Sequence, residues 1–339
     1  MKPHILVFAA TLLGALTVGQ PHAAAQASGP AHATTAGTSK TWSVPRTPWG
    51  DPDLQGLWPA NDMQGTPYER PPQFGERATL TDQELAERQA QSARQSETDA
   101  ETVVNTQRAR GTGIGAPSHW GERGRPTNQA SLIVDPPDGR LPALTAEGQR
   151  RMAAIAERER THPYDSWEDR PLQERCIIYH GVPPLPTGYN NTYEIFQTPG
   201  SVVILDENIH DVRVVPLDGR PHLNPNIRQW NGDSRGHWEN NTLVVETTNY
   251  SPRTTFRFPV AAETLHSVER FTRVAADRID FRFTITDPTT YTRPWTVSLP
   301  LAGLPDYHIF EYACHEGNYS IRNVLSGARA QEASDRRAR

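Results

Sequence analysis

At 339 residues the chain is long enough to bury a substantial core, as one large domain or two ordinary ones. Its 30 prolines and 24 glycines beside only 36 % hydrophobic residues argue against a helical bundle and for a turn-rich protein. A formal net charge of -5 offers no broad basic surface, so no nucleic-acid partner is expected.

The chain opens with Met1-Lys2-Pro3-His4, an apolar run from Ile5 to Val18 and then Ala23-Ala24-Ala25-Gln26-Ala27, the three parts of a secretory signal peptide. The apolar run is shorter than the roughly 20 residues that span a bilayer, so no membrane span is expected. No cysteine follows it to carry a lipid. Residues 1–27 therefore read as a leader and 28–42, mostly Ala, Thr, Gly and Ser, as a disordered linker to a periplasmic or secreted protein.

Residues 43–175 read as one strand followed by a helical, loop-rich segment. Gly56-x-Trp58 resembles the Gly-x-Trp that opens the first strand of lipocalin-like barrels; an aromatic anchor packed on the core is the other reading. Thr81 with Glu84 three residues on forms a capping box, which predicts a helix running to about Arg108. Gly111-Thr112-Gly113-Ile114-Gly115 lacks the Lys-Ser/Thr that closes a phosphate loop and reads as a flexible connection. A short strand over Ser131–Val134 ends at the turn Asp135 to Gly139, and a second helix starts at Thr145 and reaches about Arg160.

From 176 to 327 short β-rich runs recur between turns: Tyr193–Gln197, Ser201–Leu205, Val212–Pro216, Thr242–Thr248, Leu265–Val274, Arg278–Thr286 and Thr296–Leu301. Ile279, Phe281, Phe283 and Ile285 alternate with polar residues, so one face of that strand is apolar. The expected fold is mainly β, an antiparallel barrel or sandwich with an N-terminal helical segment. The charged residues 328–339 read as a disordered tail. In an exported protein Cys176 and Cys314 are expected to pair, the alternatives being a thiolate nucleophile or a metal ligand.

The runs RTPWGDPDLQGLW, HDVRVVPLDGRPH, WNGDSRGHWENNTLVVETTNY, DPTTYTRPWT and FEYACHEGNY, spread from Arg46 to Tyr319, resemble a large, mostly uncharacterised family of exported bacterial proteins. The resemblance implies an exported β-rich protein and brings no reaction with it.

Candidate chemistry collects at strand ends. The hairpin Asn231–Tyr250 places Asp233, Arg235 and His237 at its mouth. His210 stands beside Asp211, and His222 follows the Asp218-Gly219 turn; a carboxylate can orient an imidazole for acid–base work. His266 is taken as an inward-facing polar residue of its strand, and His315 with Glu316 as an acid–base pair held by the expected disulfide. No cofactor is expected; a metal, if present, would take His222, His266 and His315, although no metal-binding spacing occurs. Trp230, Trp238, Trp295, Tyr291 and Tyr312 offer aromatic surface for a flat ligand or serve as core. Two readings follow: a cofactor-independent lyase, isomerase or hydrolase acting on an apolar or aromatic small molecule through His222, His266, His315, His210, Asp233 and Glu316, or a non-catalytic, lipocalin-like carrier of such a molecule.

Overall fold

The computed structural model describes residues 42–104, 120–179, 181, 183, 185–254 and 263–338. The expected leader, the linker up to residue 41 and the Gly111–Gly115 loop lie outside them.

Two antiparallel sheets form the body. The first takes β1 (Gly56–Pro59), β3 (Thr192–Thr198), β4 (Ser201–Asp206) and β5 (Asp211–Pro216), in the order β1-β3-β4-β5. The second takes β2 (Ile133–Asp135), β6 (Asp233–Glu239), β7 (Thr242–Thr248), β8 (His266–Ala275), β9 (Arg278–Thr286) and β10 (Trp295–Ser298), in the order β2-β10-β9-β8-β7-β6, with β11 (Leu301–Ala302) also on β9. Neither sheet closes on itself, so of the two expected architectures the sandwich is the compatible one. β1 pairs with β3 and β2 with β10, which sews the 43–175 segment into both sheets instead of leaving it beside them.

Strand alternation decides what faces inward. Ile279, Phe281, Phe283 and Ile285 of β9 are all buried, as their spacing predicts, and Phe281 stacks on Phe271 of β8 at 4.3 Å. Opposite them the first sheet turns Tyr193, Ile195, Val202, Ile204 and Val215 inward. Trp58 is 2 % exposed and donates from Nε1 to the Leu54 carbonyl at 2.8 Å, the geometry of an aromatic anchor on the core. At the β5–β6 edge the sheets approach across Gly236, where a Cβ would lie 2.7 Å from Val215 Cγ1. The outer face of the first sheet leaves Phe196, Val212 and Val214 exposed.

Among the described residues three α-helices decorate the sheets. α1 (Asp82–Val104) begins with the predicted capping box: Thr81 N–H donates to Glu84 Oε2 at 2.8 Å and Glu84 N–H to Thr81 Oγ1 at 3.3 Å. α2 (Ala146–Thr161) is capped by Thr145, and its Gly148 has no room for a side chain, because a Cβ would meet the Thr290 carbonyl oxygen at 2.5 Å. α3 (Ser320–Ala338) has no buried residue and corrects the expected disordered tail: its Ala, Arg, Gln and Glu residues are strong helix formers, and the charge that suggested disorder sits on a solvated helix surface. Cys176 and Cys314 are joined in a disulfide across a sequence separation of 138. Among the described residues no helix is long and apolar enough to cross a membrane.

Candidate functional site

The inner face of the sandwich is apolar over most of its length and turns polar at one end. On β8 the inward phase is set by Phe271, which pairs with Phe281, so Ser267 and Glu269 point inward with it and both are fully buried. On β5 the phase of Val215 brings Asp211 and Arg213 inward, and on β4 that of Ile204 brings Asp206. Arg213 reaches across the space between the sheets and holds Glu269 with both terminal nitrogens, Nη2 to Oε1 at 2.9 Å and Nη1 to Oε2. Burial works against the arginine's charge, and Glu269 more than offsets it.

Hydroxyls surround this pair. Tyr250 Oη and Ser267 Oγ are 2.6 Å apart, and Ser234 Oγ and Thr247 Oγ1 2.9 Å. The Tyr250 and Tyr193 phenols are pushed up chiefly by burial, with neighbouring carboxylates adding to it, so both stay neutral donors.

Asp206 and Asp211 are direct partners in the β4–β5 register. The Asp206 carboxyl is pushed up to about 8, first by burial and then by the like charge of Asp211, against the pull of the Asn208 N–H at 3.1 Å and of Arg213. Asp211 is also raised by burial, opposed by the hydrogen bond it accepts from Asn231 Nδ2. At neutral pH Asp206 therefore holds a proton beside the Asp211 carboxyl, and part of its surface still reaches solvent. Next to it Glu207, fully buried, accepts from Tyr307 Oη at 2.6 Å, and the Oδ1 atoms of Asn208 and Asn231 are buried with no hydrogen-bond partner.

The residues expected from sequence are distributed differently. His222 and Asp233 do meet: Nδ1 lies 2.9 Å from Asp233 Oδ2. The same carboxylate accepts from Leu223 N–H at 2.9 Å and from Arg235 Nη1 at 2.7 Å, and burial is outweighed by these bonds, so its pKa is lowered. This hub lies on the outward phase of β6 and ties down the chain that connects β5 to β6. The expected meeting of Asp233, Arg235 and His237 is half realised, since His237 is exposed and turns to Glu239.

His266 is a correction: it shares the outward phase with Val268 and Arg270, and its Nε2 meets Glu246 Oε1 at 2.7 Å on the outer face. His210 takes a left-handed backbone, and its ring receives the Tyr312 N–H at 3.1 Å. That pins the C-terminal loop, and its neighbour Asp211 turns instead to Asn231. His315 and Glu316 are exposed on the loop after Cys314. The alternative metal trio His222, His266 and His315 is not assembled, and among the described residues no three His, Cys, Asp or Glu side chains are grouped to hold a metal ion.

No protein-family model, curated protein or solved structure matches the chain. The functional reading accordingly rests on the site's own geometry. Glu269 was missed because His266 was read as inward-facing, one residue out of step on β8; Arg213, Asp206 and Tyr250 lie on or beside other strands, and only the packing of the two sheets brings them to it. The partial signal in the sequence was that Glu269 stands two residues before Phe271 and so shares its face.

Proposed function

We propose that this chain is an exported small-molecule enzyme that works by acid–base chemistry, of the lyase, isomerase or hydrolase type, at the polar end of its inter-sheet space. One observation carries the reading: Asp206 and Asp211 face each other across β4 and β5 beside Arg213, and burial raises both carboxyls, Asp206 to about 8. Two facing carboxyls that do not both ionise share a proton, so that one can donate while the other accepts. Asp206 is the acid and Asp211 the base. Arg213, oriented by Glu269, supplies a fixed positive charge whose strength is tempered by its partner, and Tyr193 and Tyr250 offer neutral hydroxyls to the same space. The disulfide supports the exported compartment.

The carrier reading has less support. A lipocalin-like carrier needs an apolar cavity, whereas Phe271, Phe281, Phe283 and Trp295 fill the apolar part of this interior with their own rings.

The test starts with native mass spectrometry of the protein purified from its own exported compartment, to identify a retained molecule, followed by NMR of that molecule and its analogues during incubation. Conversion by the native protein, lost in both Asp206→Asn and Asp211→Asn while circular dichroism is unchanged, is the expected result. Turnover that survives both substitutions, or retention of an unaltered molecule, would overturn it.

A further inference from the structure

A cleft of about 850 Å³ is bounded by the C-terminal end of α2, the segment 163–175, Tyr179, Thr187-Gly188 and Arg253. Its size falls within the ~300–1,000 Å³ of small-molecule sites. Three arginines line it, and two are already neutralised: Arg170 forms a two-point pair with Glu174 at 2.8 and 2.9 Å, and Arg253 meets Glu168 at 2.8 Å. Arg175 is different. Its guanidinium lies over the Trp167 ring, 4.5 Å from the centroid, and among the described residues no carboxylate comes within ion-pair distance of it.

A guanidinium held over an indole face is positioned by the ring and not by a carboxylate, which leaves its N–H fork for a planar acceptor. Tyr179 adds an aromatic wall. Arg175 directly precedes Cys176, so the bridge to Cys314 fixes the backbone that carries it. The lining carries three arginines against three carboxylates, Glu159, Glu168 and Asp169, so the cleft as a whole is neutral; the cation open to a ligand is local to Arg175, and Glu159 disfavours a dianion.

We infer that this cleft is a binding site for a small planar carboxylate, an aromatic or conjugated acid, whose carboxylate pairs with Arg175 and whose ring lies against Tyr179. The site is separate from the polar end between the sheets, and neither proposal depends on the other.

The probe is 4-fluorobenzoate, observed by ¹⁹F NMR and isothermal titration with the full disulfide-bonded protein, with 4-fluorobenzyl alcohol and inorganic phosphate as controls. Saturable binding of the acid is expected, with at least tenfold weaker affinity in Arg175→Gln and an intermediate loss in Arg175→Lys, which keeps the charge but not the planar fork. Thermal melts of each variant verify the fold. Three results would each overturn the proposal: equal binding of the alcohol, equal competition by phosphate, or unchanged affinity in a folded Arg175→Gln. Failure of the native protein to bind the acid would do the same.

Discussion

Replacing Asp206 with asparagine removes a carboxyl that the fold holds near a pKa of about 8, against 3.8 for the free side chain, while keeping an acceptor for the Asn208 N–H. Because the folded value lies above the unfolded one, the native state binds more protons than the unfolded chain between those limits. The native protein should therefore lose stability as pH rises through that window, at most about 1.4 kcal/mol per pH unit. Across the whole window the ceiling is ~6 kcal/mol, and since part of Asp206 reaches solvent a working figure is ~3 kcal/mol. Urea denaturation of native protein and Asp206→Asn at pH 4.5 and pH 8.5 measures it. The variant is expected to be equal to or less stable than the native protein at the lower pH and more stable by ~3 kcal/mol at the higher. A stability difference that does not change with pH would refute the burial and like-charge account of this carboxyl.

Other outcomes follow from neighbouring contacts. Glu269→Gln leaves Arg213 with an uncompensated charge between the sheets and should cost ~3–5 kcal/mol in denaturant midpoints, whereas Glu246→Gln, on the solvated outer face with His266, should cost under about 1. Cys176→Ser with Cys314→Ser opens a closed loop of 138 residues and should lower stability by ~2–5 kcal/mol in chemical denaturation. Asp233→Ala removes the acceptor of three hydrogen bonds and should cost ~2–3 kcal/mol at neutral pH. Because its folded pKa is depressed, that contribution is present above the unfolded value of 3.8 and fades as pH falls below it, which a pH series of melts would display. Gly236→Ala would force β5 away from β6 at Val215 and Leu217 and should cost ~1–3 kcal/mol.

How much of this was legible in the sequence depends on how local the cause is. The α1 capping box, the Thr145 start of α2, the β9 alternation and the hairpin within Asn231–Tyr250 are set by residues near each other in the chain, and each stands where its chemistry put it. His222 and Asp233 were each named as candidates, and their meeting across a short connection is shown by the structure alone. The end of the chain was misread because charge content was weighed above helix propensity. The polar end between the sheets was missed for a stricter reason. A strand's inward face is fixed by its partner, and in the run HSVERFTRV the phase of His266 carries two apolar residues, Val268 and Val274, against Phe271 alone on the phase of Glu269; the pairing of Phe271 with Phe281 decides for the second.

That decision has a physical consequence beyond assignment. Four ionisable side chains, Asp206, Asp211, Arg213 and Glu269, occupy inward positions that elsewhere on the same strands are held by Ile204, Val215 and Phe271. An apolar quartet at these positions would satisfy the alternation and avoid the desolvation of every charge. A buried ion pair such as Arg213 with Glu269 adds little net stability over apolar packing, and the raised Asp206 carboxyl subtracts from stability at neutral pH. The sandwich is thus least stable where its polar groups are densest. Local departures from the packing rules that bring no compensating gain in stability are characteristic of functional sites. The chemistry of the chain is therefore to be sought at this end of the sandwich, ahead of the exposed histidines that the sequence put first.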